Sequence, residues 1–330
     1  MGFAIFAILL WKLDIRQSMD TLANIHWGWF LAGLAVFVVN QAVGYQKWNV
    51  MYLSSMEDRT QPLFPIFCSV LVLGMLTPAR AGDILASLTW KKLQGKVLAW
   101  SLFHRISEGL TTIFLSFLVL GLFFGSYYEE SRWKAGMFLV GLVLIGIAFV
   151  LNERAGRTVF RFLRALLFRF KNFHWASRFL SWEERVKYHF ELFHQTMARF
   201  RRSHTLGLLV FITFAGRGLI IIVNMCILRS LGVDLTVLEI LGILAATWVS
   251  SFLAPTPGGI GIGDIAPSMI LTHFGYEGSA GAFILINRIL EIIMIAFWST
   301  AFAVYRKPAR VVDSRNDLAE KTRERRVVHE

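Results

Sequence analysis

Residues 27–46, 60–79, 109–128 and 135–151 contain no Asp, Glu, Lys or Arg. About 20 apolar residues in a row is what an α-helix needs to cross roughly 30 Å of hydrocarbon. Three later runs, 206–228, 235–263 and 278–305, are nearly as apolar, the first broken only by Arg217. A membrane β-barrel needs segments of about ten residues with alternating polarity, and these runs do not alternate. Composition agrees: 55% of the 330 residues are hydrophobic and 17% charged, against roughly a quarter charged in soluble domains. A water-soluble enzyme is excluded. The expected fold is all-α, a polytopic transmembrane helix bundle of about 8–9 hydrophobic segments. Residues 1–11 are short for a span and lack the basic start and small-residue cleavage site of a signal peptide.

Basic residues orient the bundle. Counting one pass per run, 26 of the 34 Lys and Arg fall on one side and five on the other. The rich side holds Lys12, Arg16, Arg80, Lys91, Lys92 and Lys96, twelve between 152 and 204, and eight after Tyr305. Lys47, Arg59, Arg132, Lys134 and Arg229 make up the poor side. The positive-inside rule makes the rich side cytosolic. The chain divides into a membrane half at 1–151, a basic cytosolic loop at 152–204, a second membrane half at 205–305 and a mixed-charge tail at 306–330, expected to be disordered. Within the loop, residues 157–171 space arginines helically among Phe and Leu, as in an amphipathic helix on anionic headgroups or a packed cytosolic hairpin. A net charge of +12 fits such loops and no nucleic acid. Cys68 and Cys226 lie within apolar runs and make neither a disulfide framework nor a zinc site. His189 and His194, five apart, do not share a helix face as metal ligands do. No metal or cofactor is expected.

The informative residues are charges inside apolar runs: Arg105, Glu108, Arg217, Asp264, Arg288 and Glu291. Each costs about 2.5–3.5 kcal/mol at a helix centre, and six facing lipid would cost on the order of 15–20 kcal/mol. That exceeds the net stability of most proteins, so they must face inward and converge on a polar chamber. Arg105 and Glu108, like Arg288 and Glu291, stand three apart on one helix face, where they can pair. Each pair follows a Pro/Gly cluster, the first at 76–87 and the second at 255–268. Aligning Asp83 with Asp264 puts the arginine 22 and 24 residues later, a weak internal repeat whose sense, inverted or parallel, is open. Broken backbone at membrane depth survives where protein or water satisfies it, and paired interruptions mark transporter binding sites. Arginine would supply bidentate contacts to phosphate. The structural alternative is close helix packing at the glycines with the charges as plain ion pairs.

At these positions the sequence resembles the lysylphosphatidylglycerol synthase transmembrane region, a flippase-like membrane protein family. That family carries a Pro-x-Arg-x-Gly-Glu block, a Glu-Arg-x-x-Asp block, then Pro-x-Pro-Gly-Gly-x-Gly with a following Glu, and a late Arg. This chain offers Pro78, Arg80 and Gly82, then Arg105, then Pro255, Pro257, Gly258, Gly259 and Gly261, and finally Arg288. Asp83 and Asp264 stand where Glu is usual, Glu108 where Asp is usual, and His104 where Glu is usual, which marks a divergent branch. The resemblance implies a bacterial or archaeal cytoplasmic-membrane protein that handles polar lipids. Some relatives are proposed to flip them, and the best-known carry a soluble aminoacyl-transferase domain with no counterpart here. The reading therefore favours a lipid translocator or lipid-binding transporter over an enzyme. Its substrate-binding set is Arg80, Asp83, Arg105, Glu108, Pro257, Gly258, Gly259, Asp264, Arg288 and Glu291. Its partners would be membrane lipids with anionic head groups, and envelope-lipid synthesis enzymes. The alternatives are an intramembrane lipid-modifying enzyme with Asp83 or Asp264 as base, and a non-catalytic subunit of a lipid-synthesis complex.

Overall fold

The structure, a computed structural model, describes residues 15–56, 62–77, 82–90, 93–124, 183–201, 204–253 and 256–327, with Phe6, Leu9, Trp11, Leu13 and Thr158 besides. The run at 135–151 and the basic segment at 157–171 lie outside this set, Thr158 apart. Ten helices are described: α1 (Ile15–Ala23), α2 (Trp27–Ser55), α3 (Leu63–Leu76), α4 (Gly82–Thr89), α5 (Gln94–Phe124), α6 (Glu183–Arg201), α7 (His204–Ser230), α8 (Val237–Leu253), α9 (Ile262–His273) and α10 (Glu277–Val327). No strand occurs among the described residues, and the protein is a helical membrane bundle. By length and apolar content α2, α7 and residues 277–305 of α10 can each cross a bilayer. Phe211 on α7 and Ile292, Ile293 and Phe297 on α10 are exposed, as side chains that meet lipid are.

Two of the shorter apolar helices do not cross. α8 begins at a capping box: Thr236 Oγ1 accepts from the Glu239 N–H, and Glu239 accepts from the Thr236 N–H at 2.7 Å. After 17 residues, about 25 Å of rise, the chain breaks and α9 doubles back. Ser250 Oγ reaches the Gly263 carbonyl at 3.4 Å. Leu271, near the far end of α9, joins Ile240, Ile243 and Leu244 in one apolar core. At 12 residues, about 18 Å, α9 is too short to span. It returns to the end where α7 finishes, since Ser279 at the start of α10 donates to the Leu231 carbonyl. The first half does the same. α4 folds back on α3, with Gly82 against the Leu73 carbonyl, where a Cβ would collide at 1.8 Å. At the other end of α4, Trp90 Nε1 donates to Ser69 at 3.0 Å.

These hairpins make the repeat explicit. α2–α3–α4–α5 and α7–α8–α9–α10 each comprise a long helix, a folded-back hairpin and a second long helix. α3 packs on α10 and α8 on α5. Phe64 meets Tyr305 and Phe67 meets Trp298, so α3 and α10 run antiparallel. The equivalent helices α2 and α7 also run antiparallel: Gly33 lies against Cys226, and Gly216 further up α7 lies near Asn40. The second unit is therefore inverted relative to the first, with one hairpin entering from each end of the bundle. Two apolar cores follow. One joins α2, α3, α5 and α6 around Trp48, Phe67 and Trp100; the other joins α7, α8, α9 and α10 around Ile227, Ile240 and Leu271.

The doubling back corrects the one-pass count. Arg16 and Lys96, assigned to one side by that count, lie at opposite ends. α1 packs on the start of α10 beside Gly278, and Lys96 approaches Met56 past the end of α2. α6 and Tyr305 share the Lys96 end. The tail expected to be disordered continues α10 as far as Val327. Asp317–Lys321 and Glu320–Arg323 place acid before base at the spacings that favour helix.

Single-cysteine labelling tests the hairpin. With Cys68 and Cys226 replaced, Asp234→Cys and His273→Cys should react with an impermeant maleimide from the same side of sealed vesicles. Labelling from opposite sides would show α8 and α9 as separate crossings.

Candidate functional site

The tip of the second hairpin is built from Pro/Gly chemistry. Gly258, Gly259 and Gly261 adopt φ of 59°, 70° and 86°, a region L side chains rarely enter. The tip satisfies its own backbone. Gly259 N–H donates to the Thr256 carbonyl and Gly263 N–H to Gly259, and Thr256 Oγ1 bonds the Ile260 carbonyl. Asp264, in the first turn of α9, accepts from the Gly261 N–H at 2.9 Å. A carboxylate there caps exposed donors and meets the positive end of the helix dipole.

Arg288 arrives from α10 and closes the tip. Its Nε and Nη2 donate to the Asp264 carboxylate, the shortest contact 2.7 Å. Nη1 donates to the Gly258 carbonyl at 3.0 Å and Nη2 to Gly259 at 3.4 Å. Glu291, three residues on, takes a further bond from Nη1, as the spacing predicts. The side chains of Arg288 and Asp264 are 13% and 8% exposed, against 37% for Glu291. The pair is therefore sealed while Glu291 faces outward. Gly258 also approaches the first hairpin: a Cβ on it would lie 3.7 Å from the Met75 carbonyl oxygen and 3.7 Å from Glu291 Oε2. The tip of one hairpin thus meets the broken end of α3.

A second cluster joins the two halves. Glu108 pairs with Arg217 of α7 at 3.1 Å and with His104 Nε2 at 3.4 Å. The Arg217 guanidinium stacks 4.5 Å from the Trp248 ring centroid. Lys47 of α2, only 3% exposed, donates to Ser107 at 2.8 Å. Trp248 and Ser250 stand two residues apart on α8, one at Arg217 and the other at Gly263, so the clusters occupy opposite flanks of one turn of α8. The charges form two groups rather than the one chamber expected. An open crevice of about 350 Å³ between α1 and the start of α10, lined by Gln17, Asp20, Asn24 and His26 among others, contains none of the expected site residues.

The structure brings together Gly258, Gly259, Asp264, Arg288 and Glu291, with the exposed Pro257 beside them. Arg105 and Glu108 stand on α5. Asp83 falls in the first turn of α4, its side chain outside the described residues, as is all of Arg80. Sequence reading placed Lys47 in a loop because a charge ended the run at 46, and it omitted Arg217 from the site. The stretch 48–53 after Lys47, apolar or aromatic but for Asn49, was the signal that the helix continues. No group of His, Cys, Asp and Glu able to hold a metal occurs among the described residues.

The family model of the lysylphosphatidylglycerol synthase TM region matches residues 1–299. The chain belongs to this family. Its membership and apolar helices make it a multi-pass membrane protein of a lipid-related family. No curated protein and no solved structure matches the chain.

Removing one partner of a buried ion pair costs about 3–5 kcal/mol, because the other charge is left uncompensated. Asp264→Asn should therefore destabilise this family member by about 3 kcal/mol, and Asp264→Asn with Arg288→Met by less than the sum of the singles. Denaturant unfolding in detergent checks this; strictly additive effects would contradict the pairing.

Proposed function

We propose that the protein binds and translocates a membrane lipid with an anionic or glycosylated head group. One observation carries this reading: in two inverted units, the glycine tip of one hairpin meets the broken end of the other beside the Arg288–Asp264–Glu291 cluster. Transporters built from inverted repeats bind their cargo where discontinuous helices meet near the membrane midplane. A rocking of one unit against the other would move such a site between leaflets while the acyl chains stay in lipid. Arg105 would meet the head group while Arg288, held by Asp264 and the glycine carbonyls, keeps the tip in place. Arg80, Asp83 and Glu108 on the first unit and Pro257, Gly258, Gly259, Asp264 and Glu291 on the second would complete the path. The basic end, with Lys96, α6 and the C-terminal tail, faces the cytosol of a bacterial or archaeal cell by the positive-inside rule. Enzymes of envelope-lipid synthesis would supply the cargo.

An enzymatic role for Asp264 is less favoured, since Arg288 and the Gly261 N–H engage both its oxygens. Transport has a direct test. Purified protein in liposomes carrying labelled phospholipid or glycolipid should speed the exchange of label between leaflets. The Arg105→Ala, Arg288→Ala double variant should slow it about tenfold or more, the loss expected when charge-assisted contacts go. Equal exchange by variant and wild type would overturn the proposal.

A further inference from the structure

Lys47 is a buried ammonium with an unusual escort. It lies eight residues, about 12 Å of helix rise, inside the end of α2 and is 3% exposed. The next residue, Trp48, packs its ring against Trp100 and Phe67. An ammonium offers three donors, and among the described residues Lys47 makes one hydrogen bond, to Ser107 Oγ. Ser107 in turn donates to the His104 carbonyl. Among the described residues no carboxylate is in ion-pair contact with Lys47. Glu108 attracts it from a distance while Arg217 repels it. Glu108 is committed elsewhere, one oxygen to Arg217 and the other to His104.

The charges that the sequence and the described residues bring to this point do not balance. Lys47 and Arg217 bring two positive charges and Glu108 one negative charge. Among these residues one positive charge is left over at a depth where an uncompensated charge is costly. We propose that Lys47, Ser107 and Arg217 form a binding site for an oxyanion of single charge: the phosphodiester of a lipid head group, or a free phosphate-type ion. The site opens past Glu108, its more exposed member at 26% against 9% for Arg217, and past Gly109, which has no neighbour within 4 Å of a Cβ position. Glu108 holds Arg217 while the site is empty. When the anion enters, Glu108 swings toward His104 and yields the guanidinium, and the Lys47 ammonium gains its counter-charge. This deepens the translocation reading and rests on it for the source of the anion.

The test uses the full chain in detergent and three probes by calorimetry: short-chain phosphatidylglycerol, short-chain diacylglycerol without the phosphodiester, and inorganic phosphate. Wild type should bind the phosphodiester lipid at least about tenfold tighter than diacylglycerol. Lys47→Met should erase that preference and Lys47→Arg should restore most of it. Binding of inorganic phosphate with the same dependence on Lys47 supports the site and makes the anion alone sufficient; binding of the lipid only supports it as a head-group site. Equal affinity of wild type for the two lipids overturns the site and needs no variant to fold. A Lys47-dependent preference in a protein that moves no lipid in vesicles overturns translocation and leaves the site standing. Lipid movement without any phosphodiester preference overturns only the site.

Discussion

The bond between Arg288 and Asp264 is the interaction on which the second half depends. A chain that breaks inside a membrane exposes N–H and C=O groups that lipid cannot satisfy. Here Asp264 caps the start of α9, and Arg288 fills the carbonyl side by taking the Gly258 and Gly259 oxygens. The same contacts neutralise both charges. An apolar pair would pack as well but would leave the glycine carbonyls bare, which explains an ion pair in a place where ions are expensive.

From this clamp follows the inverted architecture. Each half is a long helix, a hairpin and a second long helix, and each hairpin leans on the long helix of the other half. That cross-packing brings Gly258 to Met75 without any loop joining them. The two clusters are not equal in charge. One sets Arg288 against two carboxylates, Asp264 and Glu291, whereas the other gathers Lys47 and Arg217 beside Glu108. One site thus offers carboxylate oxygens and the other offers cations, on opposite flanks of α8.

Much of this was legible in the residues. Apolar runs without charge set the helical membrane class, and the Arg288–Glu291 contact was readable because both stand on one face of one helix. Asp264 with the Gly258–Gly261 cluster announced a broken helix. The folding back of α3–α4 and α8–α9 was not legible: counting a crossing for every apolar run cannot distinguish a span from a hairpin of the same hydropathy. Nor was the partner of Glu108, because Arg105 on its own helix is a plausible neighbour and Arg217 is brought in by tertiary packing. Lys47 escaped notice for a simpler reason, since a rule that ends a span at the first charge cannot place a lysine inside one.

The meeting of the two hairpins at mid-depth is tested most directly by disulfide trapping. In a chain without Cys68 and Cys226, Met75→Cys and Pro257→Cys should cross-link within one molecule in intact membranes, while Met75→Cys and Asp234→Cys should not. Failure of the first pair, or equal trapping of both, would place the hairpin tips apart and contradict the account.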